Sequence, residues 1–125
     1  MATPKYSKPI KYDELSSLLE NKLKDTVLID VRTAEQFSQG HIKGAHNLEF
    51  ADFPEALKLS SSAFKEKHGF ELPTAKNSAF QVILYCGGGT RCNKSAVLAE
   101  DAGYTENVRI YSGGYREYKQ KTQPE

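Results

Sequence analysis

"FQVILYCGGGTRC", residues 80–92, passes without interruption from an apolar run into three consecutive glycines, then Thr90, Arg91 and a second cysteine. Val82 to Tyr85 is a continuous apolar stretch of strand length with no polar alternation, the pattern of a strand covered on both faces. It is the best candidate for a central strand. Glycine weakens regular structure, so three together at a strand end indicate that the backbone itself is needed there. Three readings compete: a tight turn, a metal site built on Cys86 and Cys92, and a cradle of converging backbone amides.

Outward from this stretch, "TVLID" (26–30) is a second apolar run, "NVRIY" (107–111) a third, and "GAHNLEF" (44–50) predicts a further strand. Helical patterns lie between them. Leu15, Leu18 and Leu19 fall at helical spacing, which predicts a short amphipathic helix over 12–22. Thr33 followed by Gln36 fits a capping box, so a short helix starts there. "SSAFKEKHGF" (61–70) predicts a helix stopped by Gly69, ahead of a loop begun by Pro73; the rest of 50–80 carries the weakest pattern. "CNKSAVLAEDAGY" (92–104) predicts a helix ending at Gly103, and "GGYREYKQ" (113–120) a terminal helix or turn. Strands alternating with helices specify an α/β domain with a mainly parallel sheet and right-handed crossovers. No repeat, low-complexity tract or linker divides it.

A chain of 125 residues, 38% hydrophobic and with a mean hydropathy of -0.59, can bury a core without metal or disulfide staples. Its 17 basic and 16 acidic side chains leave a formal charge of +1, no electrostatic reason to expect a nucleic-acid or anionic-membrane partner. No apolar run approaches the roughly 20 residues of a membrane span. "MATPKYSKPIKYDE" has neither an apolar secretory core nor an Arg-rich amphipathic pattern. Two cysteines do not make a disulfide framework. The expected setting is the reducing cytoplasm, with the mitochondrion the alternative, and the expected state a monomer.

In an open α/β sheet, ligands bind at the carboxyl ends of the strands, where "CGGGTR" sits. A glycine-rich loop that opens a helix points several N–H groups inward and adds the positive end of the helix dipole. Such a nest binds an anion or stabilises a thiolate. Arg91, five residues after Cys86, can close the cradle with a permanent charge. Nucleophile, small residues and cation therefore coincide, although spacing alone leaves the turn open. A nucleotide P-loop fails because Lys94 is preceded by Asn93, and the dinucleotide fingerprint fails because its third glycine would be Cys92. A zinc site on Cys86, Cys92, His41 and His46 lacks both C-x-x-C and H-E-x-x-H spacing. Singly, His41, His46 and His68 read as structural or surface residues.

The stretch Cys86–Arg91 resembles the C-x-x-x-x-R active-site loop of the rhodanese sulfurtransferases. Two further segments strengthen the likeness. "FSQGHIKGAHNL" (37–48) resembles the family's F-x-x-x-H-[IL]-P-G-A-x-x-[ILV] pattern, departing at Lys43, where proline is usual. "VRIYSGGYREY" (108–118) resembles its C-terminal signature through Gly113, Gly114 and Glu117. It departs at Ser112, often acidic, and at Tyr115, often tryptophan. "DVR" (30–32) completes the set. The likeness spans roughly residues 10–120 and is nearest to small eukaryotic single-domain members, thiosulfate:glutathione sulfurtransferase among them. It implies one rhodanese-like domain over 1–125, with a mainly parallel sheet of about five strands flanked by helices.

The resemblance also implies a chemistry. Cys86 attacks the outer sulfur of thiosulfate, sulfite leaves, and a thiol such as glutathione or thioredoxin, or cyanide in the test tube, takes the sulfur from the Cys86 persulfide. Gly87, Gly88, Gly89, Thr90 and Arg91 would bind the substrate, with Arg91 on the sulfonate; no cofactor, metal or histidine base is required. Two glycines directly after the cysteine, where several members carry basic or polar residues, leave fewer side-chain charges at the mouth. Asp30 and Arg32 read as a charged pair organising the loop below the site. Arg32 is also a candidate for substrate contact, and Glu35 its nearest candidate ion-pair partner. Cys92 is expected to pack on the outer side of the cradle, its alternative being a resolving thiol. A cysteine phosphatase would have a loop one residue longer, C-x-x-x-x-x-R, and a non-catalytic module would typically have lost the cysteine.

Overall fold

The three apolar runs become the middle of the sheet. In the computed structural model, which describes residues 4–72, 80–87 and 90–122, the chain forms β1 (Lys8–Pro9), α1 (Tyr12–Glu20), β2 (Thr26–Asp30), α2 (Ala34–Gln39) and β3 (His46–Asn47). A 3-10 turn (Phe50–Asp52) and two helices follow, α3 (Phe53–Ala56) and α4 (Ser61–His68). The order continues with β4 (Gln81–Tyr85), α5 (Thr90–Asp101), β5 (Val108–Tyr111) and α6 (Gly114–Thr122). The five strands pair in the order β1-β5-β4-β2-β3, all parallel, with β4 in the centre.

Side chains alternate across the sheet because successive strand residues point to opposite faces. Ile29, Val31, Val82, Leu84, Val108 and Ile110 pack with Phe53, Phe64, Ala96 and Ala99 of α3, α4 and α5. Leu28, Ile83, Tyr85 and Tyr111 pack with Leu15, Phe37, Tyr115 and Tyr118 of α1, α2 and α6. Helices thus cover both faces, which is why these strands read as continuous apolar runs rather than as alternating ones. Full burial of each such aliphatic side chain contributes about 1.5–3 kcal/mol.

Local signals hold where the chemistry is local. Thr33 and Gln36 make the expected capping box, and Gly69 ends α4 in the left-handed conformation. Other boundaries differ. The first helix stops at Glu20 rather than residue 22, because Lys22 and Leu23 take positive φ (59° and 55°) and the Leu23 N–H returns to the Leu18 carbonyl. The strand expected over 44–50 contracts to His46–Asn47, since the chain turns into the 3-10 segment at Phe50. The terminal segment expected over 113–120 is helical from Gly114 to Thr122. The loop assigned to Pro73 lies outside the described residues. Among the described residues no helix is long and apolar enough to cross a membrane.

Candidate active site

Asp30, Tyr85 and Tyr111 lie abreast in the sheet, so the loops after β2, β4 and β5 leave from one level of its carboxyl edge. From β2 the chain runs outward to β3, and from β4 it runs the opposite way to β5. This reversal opens the crevice in which open α/β sheets bind ligands. Cys86 is the first residue beyond β4, at 3% exposure, on the face covered by α5. Among the described residues, a Cβ built on Gly87 would meet nothing within 4 Å. Gly88 and Gly89 lie outside the described residues, as does the side chain of Thr90, whose backbone opens the 12-residue α5. A cleft of about 490 Å³ at the amino ends of the strands, lined by Lys8, Gln81 and Arg109, belongs to the opposite edge.

The loop is held by backbone hydrogen bonds from α6. Tyr115 N–H donates to the Cys86 carbonyl at 2.8 Å and Arg116 N–H to that of Gly87 at 3.4 Å. Gly114 makes this possible, with φ at +65°; a Cβ there would fall 2.4 Å from the Cys86 oxygen and 2.7 Å from the Gly87 oxygen. Gly114 thus lets α6 pack directly against the loop. Gly114→Ala is expected to cost about 1–3 kcal/mol from the backbone conformation alone, with the clash added. Urea unfolding measures it, and a midpoint equal to wild type would show that the clamp yields freely.

Under the loop, the Asp30 carboxylate, fully buried, accepts from the Arg32 backbone N–H at 2.8 Å, from Nε at 3.1 Å and from Nη2 at 2.7 Å. Arg32 Nη2 also donates to the Gly40 carbonyl at 2.7 Å, and the guanidinium lies 4.5 Å from the Tyr115 ring centroid. Burial opposes the charged guanidinium, yet the hydrogen bonds and charge of Asp30 outweigh it and Arg32 holds its proton more tightly than usual. The ion-pair partner is therefore Asp30, not Glu35: the two-residue reach of a bidentate fork back onto its own strand end wins over a residue on the helix. Tyr85 accepts the Ile42 N–H at 3.0 Å; burial first, then Asp30, pushes its hydroxyl upward, so it remains a phenol. Asn47 Nδ2 donates to the carbonyls of Asp30 and Arg32, both at 3.0 Å. Neither Tyr85 nor Asn47 is marked by any motif, because their partners come from other loops.

Arg91 is exposed in the first turn of α5, and its Nη1 donates to Gln36 Oε1 at 3.3 Å. Its side chain thus sits on the rim, leaning on α2. Cys92 corrects the sequence expectation most. It is fully buried, and its Sγ lies 3.6 Å from Cys86 Sγ rather than outside the cradle, because one helical turn carries it back under the strand end. The adjacent Cys86 sulfur first, then burial, pushes the Cys92 thiol far up, so Cys92 keeps its proton. The histidines lie against aromatic rings: His41 stacked on Phe37, His46 stacked on Phe70 and His68 tilted against Phe64. Among the described residues no group of three or more His, Cys, Asp and Glu side chains gathers around a metal-sized space.

Comparison with known proteins agrees with this geometry. The model of the rhodanese-like domain matches residues 11–121. A Homo sapiens protein named thiosulfate:glutathione sulfurtransferase is 32% identical over 112 residues, which covers 90% of this chain and 93% of that one. A Schizosaccharomyces pombe protein named for a mitochondrial thiosulfate sulfurtransferase is 36% identical over 98 residues, 78% of this chain; the aligned part spans 66% of that longer protein. The solved structure of a human single-domain sulfurtransferase, TSTD1, superposes with a TM-score of 0.83 at 30% identity, covering 94% of this chain and 99% of that one.

Proposed function

The chain belongs to the rhodanese-like domain family, and from that membership we propose that it is a sulfurtransferase carrying sulfane sulfur on Cys86. In this reading the Cys86 thiolate attacks the outer sulfur of thiosulfate, the S–S bond breaks, and sulfite leaves with the bonding electron pair. A thiol acceptor, glutathione or a thioredoxin-type cysteine, then attacks the outer sulfur of the persulfide and returns Cys86 as thiolate. The observation that carries the reading is the position of Cys86: the first residue after the central strand, at the crevice between β2 and β4, with its carbonyl tied to α6. One factor favours the thiolate there: the amino end of α5 supplies a positive dipole.

The remaining roles combine the loop's sequence with the positions of Arg91 and Arg32. The amides from Gly87 through Arg91 would hold the terminal sulfur as an oxyanion hole holds charge. Arg91, on the rim, would orient the sulfonate of thiosulfate. Arg32, its fork engaged by Asp30 and Gly40, is assigned to holding the loop rather than to touching the donor. The setting would be a reducing one, cytoplasmic or mitochondrial, where the acceptor thiols stay reduced.

The test is sulfite release from thiosulfate, measured against glutathione, a thioredoxin and cyanide in turn. Acceptor-dependent sulfite is expected; none with any acceptor would end the proposal. In the same assay Arg91→Lys keeps a charge and loses the planar fork. Its kcat/KM for thiosulfate is expected to fall more than about tenfold, roughly 1.4 kcal/mol of transition-state stabilisation. An unchanged kcat/KM in the folded variant would remove Arg91 from the site.

A further inference from the structure

Two thiols that the proposed transfer does not both need lie against one another at the end of β4. Cys86 and Cys92 are both reduced, both buried, and 3.6 Å apart at sulfur, in a chain with no third cysteine. A disulfide needs a separation of about 2.0 Å, so a shift of less than two ångströms converts contact into a bond. Cys92 belongs to the same core cluster as Cys86, with Ala96, Ala99 and the strand residues. Displacement at the Cys86 sulfur requires the attacking and departing groups in line, so Cys92 attacks a persulfide whose outer sulfur extends away from it, out of the core that holds Cys92.

We infer that Cys92 is a resolving thiol: it attacks the inner sulfur of the Cys86 persulfide, expels the outer sulfur as sulfide, and leaves a Cys86–Cys92 disulfide that a dithiol reductant reopens. In the resolving step the Cys92 electron pair forms the new S–S bond, and the pair of the old Sγ–S bond departs with the outer sulfur. The proton of the Cys92 thiol ends on that sulfur, so a persulfide anion and a thiol become a disulfide and HS⁻. The dithiol then closes its own disulfide and restores both cysteines, supplying the two electrons that each released sulfide consumes. Sulfur loading itself arms the step. Before loading, the neighbouring Cys86 sulfur is the first cause that keeps Cys92 protonated. After loading, the negative charge moves one bond outward to the terminal sulfur, and that restraint on Cys92 weakens. The domain would thus release sulfide with a dithiol and pass sulfane sulfur intact to a monothiol that reaches the outer sulfur first.

The proposal rests on the sulfurtransferase reading for its donor, so two loading routes are needed. Purified protein is loaded either with thiosulfate or with inorganic polysulfide, freed of excess reagent, and followed without acceptor. Released sulfide is measured, and peptides are mapped under non-reducing conditions. Wild type is expected to release about one equivalent of sulfide per chain and to yield a Cys86–Cys92 cross-linked peptide. Cys92→Ser, and Cys92→Ala should the serine variant fold poorly, are expected to keep the outer sulfur on Cys86 without releasing sulfide. Dithiothreitol should restore wild type for a second round. Wild type that holds its persulfide as long as Cys92→Ser does, with no cross-link by either route, overturns the inference and leaves the sulfurtransferase reading standing. Cross-linking after polysulfide but no loading by thiosulfate upholds the inference and removes that donor. No sulfur on Cys86 of Cys92→Ser and no cross-link in wild type, by either route, overturns both.

Discussion

Cys86→Ser is expected to reduce sulfite release from thiosulfate to the uncatalysed rate while the protein stays folded. A serine hydroxyl ionises far above a thiol and cannot hold a sulfane sulfur through an S–S bond, so no residual pathway through residue 86 remains. The fold has little reason to respond. The loop is tied to α6 through the Cys86 carbonyl, not its side chain, and the substitution changes one atom at the edge of the core. A stability loss within about 1–2 kcal/mol is expected, the scale of burying a hydroxyl with a sulfur neighbour. Peptide mass mapping of thiosulfate-treated wild type, quenched before the persulfide resolves, should find the added sulfur on Cys86. An adduct on Cys92 with Cys86 unmodified would exchange the roles of the two cysteines and overturn the mechanism.

Asp30→Ala is expected to be the most damaging substitution for the fold. Asp30 is fully buried and receives the Arg32 fork; removing the carboxylate leaves a guanidinium under Tyr115 with its charge uncompensated. Breaking a buried pair from one side costs about 3–5 kcal/mol. Domain stabilities are about 5–15 kcal/mol, so the melting temperature should drop by on the order of 10 °C or more. The penalty comes chiefly from the stranded charge, so Asp30→Ala/Arg32→Met should recover part of the loss. Thermal and urea unfolding of wild type, both single variants and the double variant close the cycle. A single Asp30→Ala variant within about 1 kcal/mol of wild type would show that Arg32 finds water or another partner, and the loop would then need a different support.

The reach of the sequence differs between these two cases for a physical reason. Cys86 and its loop were visible because strand, glycines and arginine are contiguous, and the chemistry of such a loop depends on neighbours in the chain. The Thr33–Gln36 capping box and the Gly69 stop were visible on the same ground, since their hydrogen bonds and torsions span a few residues. The sequence left Arg32 with two candidate partners. Asp30 and Glu35 are both near in sequence, and only the buried exit of β2, with Gly40 and Tyr115 closing over it, selects the first. Arg91 shows the same limit. Its place in the loop is a matter of spacing, whereas its lean onto Gln36 depends on α2 lying alongside.

By itself the sequence determined the α/β class, the central strand, the candidate nucleophile and the family whose loop it resembles, because each rests on local pattern or on contiguous residues. The tertiary structure alone decided the strand order, with β4 between β5 and β2, since parallel pairing joins segments far apart in the chain. It also decided the clamp of Gly114 and Tyr115 on the loop carbonyls, which joins residues almost thirty positions apart in the sequence. Cys92 marks the boundary between the two. Six residues of separation permit it to face toward or away from Cys86, and the phase at which α5 leaves the loop brings the two sulfurs to 3.6 Å.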